Sequence, residues 1–257
     1  MPELVLSPRD TEDGRRLAEA ARAAGWAVHR LEGWRAPAGW TPEPDLALYG
    51  EPLFCRVLAA QLGRVLLEPN HDWLARLPAW ATRRRVRCIR LGDVPSEAFP
   101  VFLKPPDDKL FPARVYDGPE PFLARPDLPP DEPVIASEPV RFATEHRVHL
   151  LDGAAVACSR YSVGGALSVD AADPDRAEAM AFAAKVAQAD PVPPAVVVDV
   201  GRLEDGSWAV VEANPAFGAG IYAAAPLPVL DVLRSACRPQ AGLPKALAAF
   251  TYPVLLE

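Results

Sequence analysis

The stretch Ala195-Val-Val-Val-Asp199-Val-Gly-Arg-Leu-Glu204-Asp205-Gly206-Ser207-Trp-Ala-Val-Val-Glu212-Ala-Asn214 reads as two apolar strands joined by a tight turn. Asp-Gly between apolar runs is a strong hairpin signal, because both residues accept the backbone twist of a two-residue turn. If Asp205 and Gly206 form that turn, Glu204 pairs with Ser207. Counting outward then sets Asp199 opposite Glu212, with Cβ atoms roughly 5 Å apart. Asn214, two residues on, shares their face. The surrounding valines say that the strands are mostly buried. Two carboxylates facing each other there repel and are costly to bury without a positive partner. A hard divalent cation is one candidate, since magnesium takes carboxylate and amide oxygens together with phosphates. An arginine or lysine for each acid is the other. A bulge in either strand would break the register.

Working outward, a second hairpin is expected at Asp152-Gly153, between Glu145–Leu151 and Ala154–Tyr161. Simple pairing places Glu145, Arg147, His149, Cys158 and Arg160 on one face, with Glu145 opposite Arg160. A face this polar needs solvent, mutual pairing or a ligand. A helix is expected over 174–189, with Asp173 as cap and Pro174 first. Further upstream, Val101–Lys104, Arg114–Tyr116 and Val134–Ser137 read as strands, and Lys104 projects past the end of its strand. Residues 1–80 alternate short strands (4–7, 26–31, 45–49, 65–67) with helices opening at Asp10 or Thr11 and spanning 52–62. That order predicts a small, largely parallel α/β lobe.

The bulk numbers exclude several classes. The chain has 257 residues, 50% of them hydrophobic, and a net charge of -7. The one dense basic run, Arg83-Arg84-Arg85 with Arg87 and Arg90, is too short for a nucleic-acid platform. No apolar run approaches the 18 or so residues of a membrane span. The start, Met-Pro-Glu-Leu-Val-Leu-Ser, is not a signal peptide, so a cytoplasmic protein is expected. Cys55, Cys88, Cys158 and Cys237 show no metal or redox spacing and read as buried, reduced thiols. His146 and His149 fall on opposite faces of one strand, which argues against zinc. Gly164-Gly165 and Gly218-Ala-Gly220 match no phosphate loop. Ser159, Ser162 and Ser168 lack the nucleophile-elbow pattern. The 30 prolines lie mostly between periodic segments and read as rigid loops. Trp26, Trp34 and Trp40 are expected in the core.

Taken in order, these residues resemble the ATP-grasp superfamily over about residues 80–225. Phe99-Pro-Val-Phe-Leu-Lys104-Pro looks like the strand whose lysine contacts nucleotide phosphates. Val134-Ile-Ala-Ser-Glu138-Pro139-Val140 looks like the strand and linker where adenine docks. Glu145 matches the acid that binds ribose hydroxyls. Asp199 with Glu212-x-Asn214 matches the metal-binding signature. The glycine-rich loop usual over the phosphates is replaced by Pro105-Pro-Asp-Asp-Lys109-Leu-Phe. That form is similar to a clade named for an arginine and two lysines. Arg84 matches the arginine by position, with Arg83 and Arg85 as adjacent alternatives, and Lys109 would supply charge where glycine amides are missing.

The resemblance implies an α/β N-terminal lobe over 1–80. Over 81–257 it implies an α+β ATP-grasp domain, whose two lobes of antiparallel hairpins clasp ATP and Mg2+. It also implies a carboxylate–amine ligase that works through an acyl phosphate, on small-molecule, peptide or protein substrates. Arg147, Arg160 and Lys109 would be its catalytic cations. A kinase acting on a hydroxyl and a non-catalytic nucleotide-binding protein are the rival readings.

Overall fold

The computed structural model describes residues 1–105, 110–123 and 128–252. The chain opens with β1 (Glu3–Leu6), α1 (Glu12–Ala23), β2 (Ala27–Arg30), β3 (Leu46–Tyr49), α2 (Pro52–Gln61) and β4 (Arg64–Leu66). Strands β2, β1 and β3 form a parallel sheet in that order. Thr11 caps α1, its hydroxyl accepting the Gly14 amide at 3.1 Å, and Glu12 and Asp13 suit the positive helix end. β4 leaves the expected parallel sheet. It pairs antiparallel with β14 (Cys237–Pro239) at the far end of the sequence, a partner that no local pattern announces.

Short helices α3 (Trp73–Arg76) and α4 (Ala79–Thr82) lead into β5 (Val86–Arg90). A mixed region follows: β6 (Val101–Lys104), β7 (Arg114–Tyr116), α5 (Glu120–Leu123) and β8 (Pro133–Ser137). These strands form an antiparallel sheet in the order β5-β8-β6-β7. The largest sheet is built from β9 (Phe142–Leu151), β10 (Ala154–Val163), β11 (Ala166–Asp170), β12 (Ala195–Leu203) and β13 (Trp208–Asn214), in the order β11-β10-β9-β12-β13. Helix α6 (Arg176–Ala187) covers one of its faces. Its Ala179, Ala183 and Val186 pack on Val148, Leu150, Val198, Val200 and Val210. The expected cap shifts by two residues: Asp175 is the N-cap, while Asp173 accepts the Asp175 amide at 3.0 Å.

The other face of the large sheet joins the core of the parallel sheet. Helix α7 (Pro226–Ala236) supplies Val229, Leu230, Val232 and Leu233 to a cluster that also holds Leu4, Leu48, Phe54, Ala157 and Val197. Helix α8 (Lys245–Ala248) closes the described chain. Trp26 and Trp40 pack against this cluster, whereas Trp34 is 46% exposed. Cys55, Cys158 and Cys237 are buried, whereas Cys88, on edge strand β5, is exposed. No helix among the described residues is long and apolar enough to cross a membrane.

Both Asp-Gly hairpins form, and both depart from simple pairing. At Asp152-Gly153 the two-residue turn is as expected, with φ of 49° and 80°. A bulge between Ala155 and Ala157 then shifts the register, and a second lies between Arg160 and Ser162. Glu145 therefore pairs with Ser162, and Arg160 with His146. The second hairpin turns over three residues: the Gly206 amide bonds the Leu203 carbonyl and the Leu203 amide bonds Ser207. Gly206, at φ 82°, takes the left-handed position such loops require. That offsets the ladder by one residue. A bulge at Val211 restores it, because Val200 pairs with Val210 and Asp199 with Glu212.

His149 follows from this packing. It is fully buried between Ala157 and Val197 on the neighbouring strands, and neither ring nitrogen has a partner among the described residues. Burial first, and Arg147 second, push its pKa down to about 3. The folded chain thus keeps His149 neutral where an unfolded chain, with a histidine pKa near 6.5, takes up a proton. Between those values stability falls as pH falls, by up to about 1.4 kcal/mol per pH unit. Urea unfolding of wild type and His149→Leu from pH 7 to pH 5 should show a flatter dependence in the variant. An unchanged slope would remove His149 from the acid response.

Candidate active site

The Val211 bulge decides which side chains enter the site. Glu212 and Asn214 lie on the same face of the large sheet as Asp199, while Trp208 and Val210 face α6. Without the extra residue Glu212 would turn toward α6, since a one-residue slip inverts every side chain of a strand. Arg84 holds the bulge. Its guanidinium donates to the carbonyls of Val210 at 2.7 Å and Val211 at 3.3 Å, and lies over the Phe142 ring. Burial lowers its pKa to about 10. Arg83 and Arg85 are exposed, and Arg85 contributes its backbone amide to Glu138 at 2.9 Å. Of the three arginines, Arg84 is therefore the one whose side chain lines the cavity.

Asp199 is fully buried and makes a two-pronged ion pair with Arg147, at 2.9 Å from Nε and 2.7 Å from Nη2. Burial still raises its pKa against the pull of Arg147. Glu212 is paired with Lys104 from the end of β6. Burial acts to raise its pKa, but Lys104 and Asn214 outweigh it and hold the group at about 2. The Asn214 amide spans the two acids, at 3.2 Å from Asp199 and 2.9 Å from Glu212. The expected facing pair is present, and each acid has the basic partner that the sequence left open as an alternative to a metal. Two carboxylates and an amide within hydrogen-bond range of one another also fit a hard cation, with Asn214 presenting its oxygen.

A cavity of about 240 Å3 opens between the two antiparallel sheets. Phe102, Val140, Phe142 and Val211 give it apolar walls; Arg84, Lys104, Glu138, Glu145 and Glu212 give it charge. Pro139, in the linker between Glu138 and Val140, is exposed. Gly201 leaves room for one wall: a Cβ there would meet Phe142 at 2.6 Å. Glu145 accepts hydrogen bonds from Tyr161 Oη at 2.7 Å and Ser162 Oγ at 3.0 Å.

Arg160 is a correction. The Val156 bulge turns it away from Arg147. Its guanidinium bonds Asp173 and the Ser168 carbonyl beside the buried His146–Asp173 contact. It braces the β10–β11 edge against the start of α6. Lys109 lies outside the described residues.

Sequence reading missed several residues. Tyr161 and Tyr222 stack at 5.1 Å, and the Arg147 guanidinium lies over both rings. Tyr222 sits in the left-handed region at φ 49°, a conformation that packing must hold in a non-glycine residue. From α1, Arg16 bonds the carbonyls of Tyr222 and Ala224, and Asp13 accepts the Ile221 amide at 2.9 Å. The polar face around Tyr161 was a signal masked by the bulge. For Asp13 and Arg16, some 200 residues from their partners, there was none.

A profile for the ATP-grasp domain, family 2 of the clade named for an arginine and two lysines, matches residues 82–232, more than half the chain. The chain belongs to that family and has the ATP-grasp fold. Solved structures with the same fold include a RimK domain protein ATP-grasp from Sphaerobacter thermophilus. It is 18% identical with TM-score 0.57, over 91% of this chain and 98% of that one. The D-cycloserine synthetase DcsG is 19% identical with TM-score 0.58, over 90% and 98%. The ATP-grasp ligase PsnB, complexed with minimal precursor, Mg and ADP, is 14% identical with TM-score 0.50, over 91% and 97%. No curated protein sequence matches the chain.

Removing one partner of a buried ion pair leaves the other charge uncompensated, at a cost of about 3–5 kcal/mol. Arg147→Met should lower the unfolding free energy by that order in urea titrations. Adding Asp199→Asn to it should recover part of the loss. Strictly additive losses would show that the two side chains do not act as a pair.

Proposed function

We propose that the chain is an ATP- and Mg2+-dependent ligase that joins a carboxylate to an amine through an acyl phosphate. One observation carries this reading: Lys104, Asp199, Glu212, Asn214 and Arg147 converge beside an apolar-walled cavity between two antiparallel sheets. The likeness to PsnB, whose structure holds Mg and ADP, supports the same requirement here, and the ligases among the similar structures support the reaction class.

In this reading Phe102, Val140, Phe142 and Val211 sandwich the base, and Glu138, Pro139 and Val140 supply the linker beside it. Glu145 accepts the ribose hydroxyls. Arg84, Lys104 and Lys109 meet the phosphates. Asp199, Glu212 and Asn214 hold the metal, which when bound offsets the negative charge of the phosphate oxygens. The substrate carboxylate oxygen attacks the γ-phosphorus and the bond to ADP breaks. The amine nitrogen then attacks the acyl carbon, inorganic phosphate leaves, and the nitrogen loses a proton. Arg147 Nη1 donates to the Gly220 carbonyl at 3.3 Å, and in this reading the guanidinium serves the developing oxyanion. Positioning supplies most of the rate, with no dedicated base.

Calorimetry of ATP binding, with and without Mg2+, should show magnesium-dependent binding to wild type. Glu212→Gln should weaken it at least about tenfold, equal to about 1.4 kcal/mol of a lost charged contact. ADP release with an amide product supports ligation, whereas ADP with a phosphorylated hydroxyl would replace it with a kinase. No nucleotide binding by wild type would refute the proposal.

A further inference from the structure

A second cleft, of about 380 Å3, opens at the carboxyl ends of β1 and β3. The chain leaves β1 through α1 toward β2 and leaves β3 through α2 toward β4, outside this sheet, and ligands of open α/β sheets favour the crevice beyond the carboxyl ends of the strands. Ser7, Arg9, Thr11, Asp13, Tyr49 and Glu51 line it. Four features indicate what it takes.

Ser7 is 3% exposed, yet its hydroxyl bonds nothing among the described residues while lining the cleft. On the cleft wall and without a protein partner, that hydroxyl is available to whatever enters the cleft. The Thr11-capped end of the 12-residue helix α1 opens on the same space, where its partial positive charge favours a carboxylate. Arg9 stands beside it, largely exposed, with Glu51 the nearest acid at 3.9 Å. Asp13, in the first turn of α1, brings a carboxylate to the same cleft. Its two hydrogen bonds, from Tyr49 Oη at 3.3 Å and the Ile221 amide at 2.9 Å, both fall on Oδ2. Oδ1 is left for a cation.

The cleft also adjoins the reaction centre. Pro52 and Gly218 line both this cleft and a further cavity, of about 150 Å3, that Lys104, Glu212 and Asn214 also line. The two residues pack closely, since a Cβ on Gly218 would meet Pro52 Cγ at 2.7 Å. A Cβ on Gly220 would lie 3.2 Å from Asp13 Oδ2 and 3.7 Å from Arg147 Nη1. The space left by the missing Cβ of Gly220 is thus bordered by Asp13 on one side and by Arg147, the arginine assigned to the oxyanion, on the other.

We propose that this cleft binds the amine substrate and that the amine is a free α-amino acid. Its ammonium group lies at Asp13 Oδ1, and its carboxylate lies between Ser7 Oγ, Arg9 and the start of α1. The role as acceptor rests on the ligase reading; the amino-acid site itself does not. An ammonium at Asp13 lies on the side of Gly220 that faces Arg147; in the ligase reading its nitrogen releases a proton to solvent and then attacks the acyl carbon.

The test is saturation-transfer NMR of the full chain with mixtures of the twenty proteinogenic amino acids and the D-enantiomers of the nineteen chiral ones, with and without Mg-ADP. Titration of each hit follows, on wild type, Asp13→Asn and Ser7→Ala. One or a few amino acids should bind, and each variant should bind them about tenfold more weakly. Mg-ADP affinity, measured on the same samples, should hold and so report that the variants fold. Absence of amino-acid binding, or binding insensitive to both substitutions, overturns the proposal, and does so alone if Mg-ADP still binds. Amino-acid binding that depends on Asp13 and Ser7 in a protein that binds no nucleotide would keep the site and overturn the ligase reading.

Discussion

The extra residue at Val211 is the constraint on which the site depends. A β-ladder has a side-chain period of two, so one inserted residue decides whether everything beyond it faces the cleft or the covering helix. Here the three-residue turn at 204–206 puts the ladder out of step, and the bulge corrects it before Glu212. β13 is an edge strand, and carbonyls there without ladder partners are costly to bury. Arg84 supplies donors to the Val210 and Val211 carbonyls. A guanidinium suits the task because its donors are fixed in one plane and it keeps its charge even where burial lowers its pKa to about 10.

Charge compensation then organises the centre. Asp199 is completely buried beside Glu212, and Arg147 and Lys104 offset the two acids from opposite sides. The arginine comes from the middle of the large sheet and the lysine from the end of a strand in the smaller one. The Lys104–Glu212 contact therefore ties the two sheets together across the cavity, while Arg147 and Asp199 join neighbouring strands of the large sheet. Tyr161 and Tyr222 close over Arg147 and restrict its planar group to one orientation.

The N-terminal residues are built into this centre. Arg16 and Asp13 of α1 anchor the 221–224 segment, and with it the Tyr222 ring over Arg147. Core packing repeats the connection, because α7 lies among residues of β1, β3 and α2. A conformation as unfavourable as the positive φ of Tyr222 persists where the surroundings fix it from several sides.

Legible in the sequence were most of the strands, though not β5, β11 or β14, together with the two Asp-Gly hairpins, the family, and the facing of Asp199 and Glu212. Those follow from local chemistry: turn residues that accept a positive φ, apolar runs of strand length, and a short acid-and-amide motif. The facing pair was legible even though the turn is longer than a two-residue count, because the turn and the bulge shift the register by one residue each in compensating directions. No such compensation occurs in the other hairpin, so Arg160 was read onto the wrong face and Tyr161 was overlooked. Tertiary structure alone decided which arginine of Arg83-Arg84-Arg85 turns inward, that β4 pairs with β14, and that Asp13, Arg16 and Tyr222 meet. The physical reason is the same in each case. A bulge is stabilised by groups outside its own strand, and contacts between residues some 200 positions apart leave no periodicity in the chain that makes them.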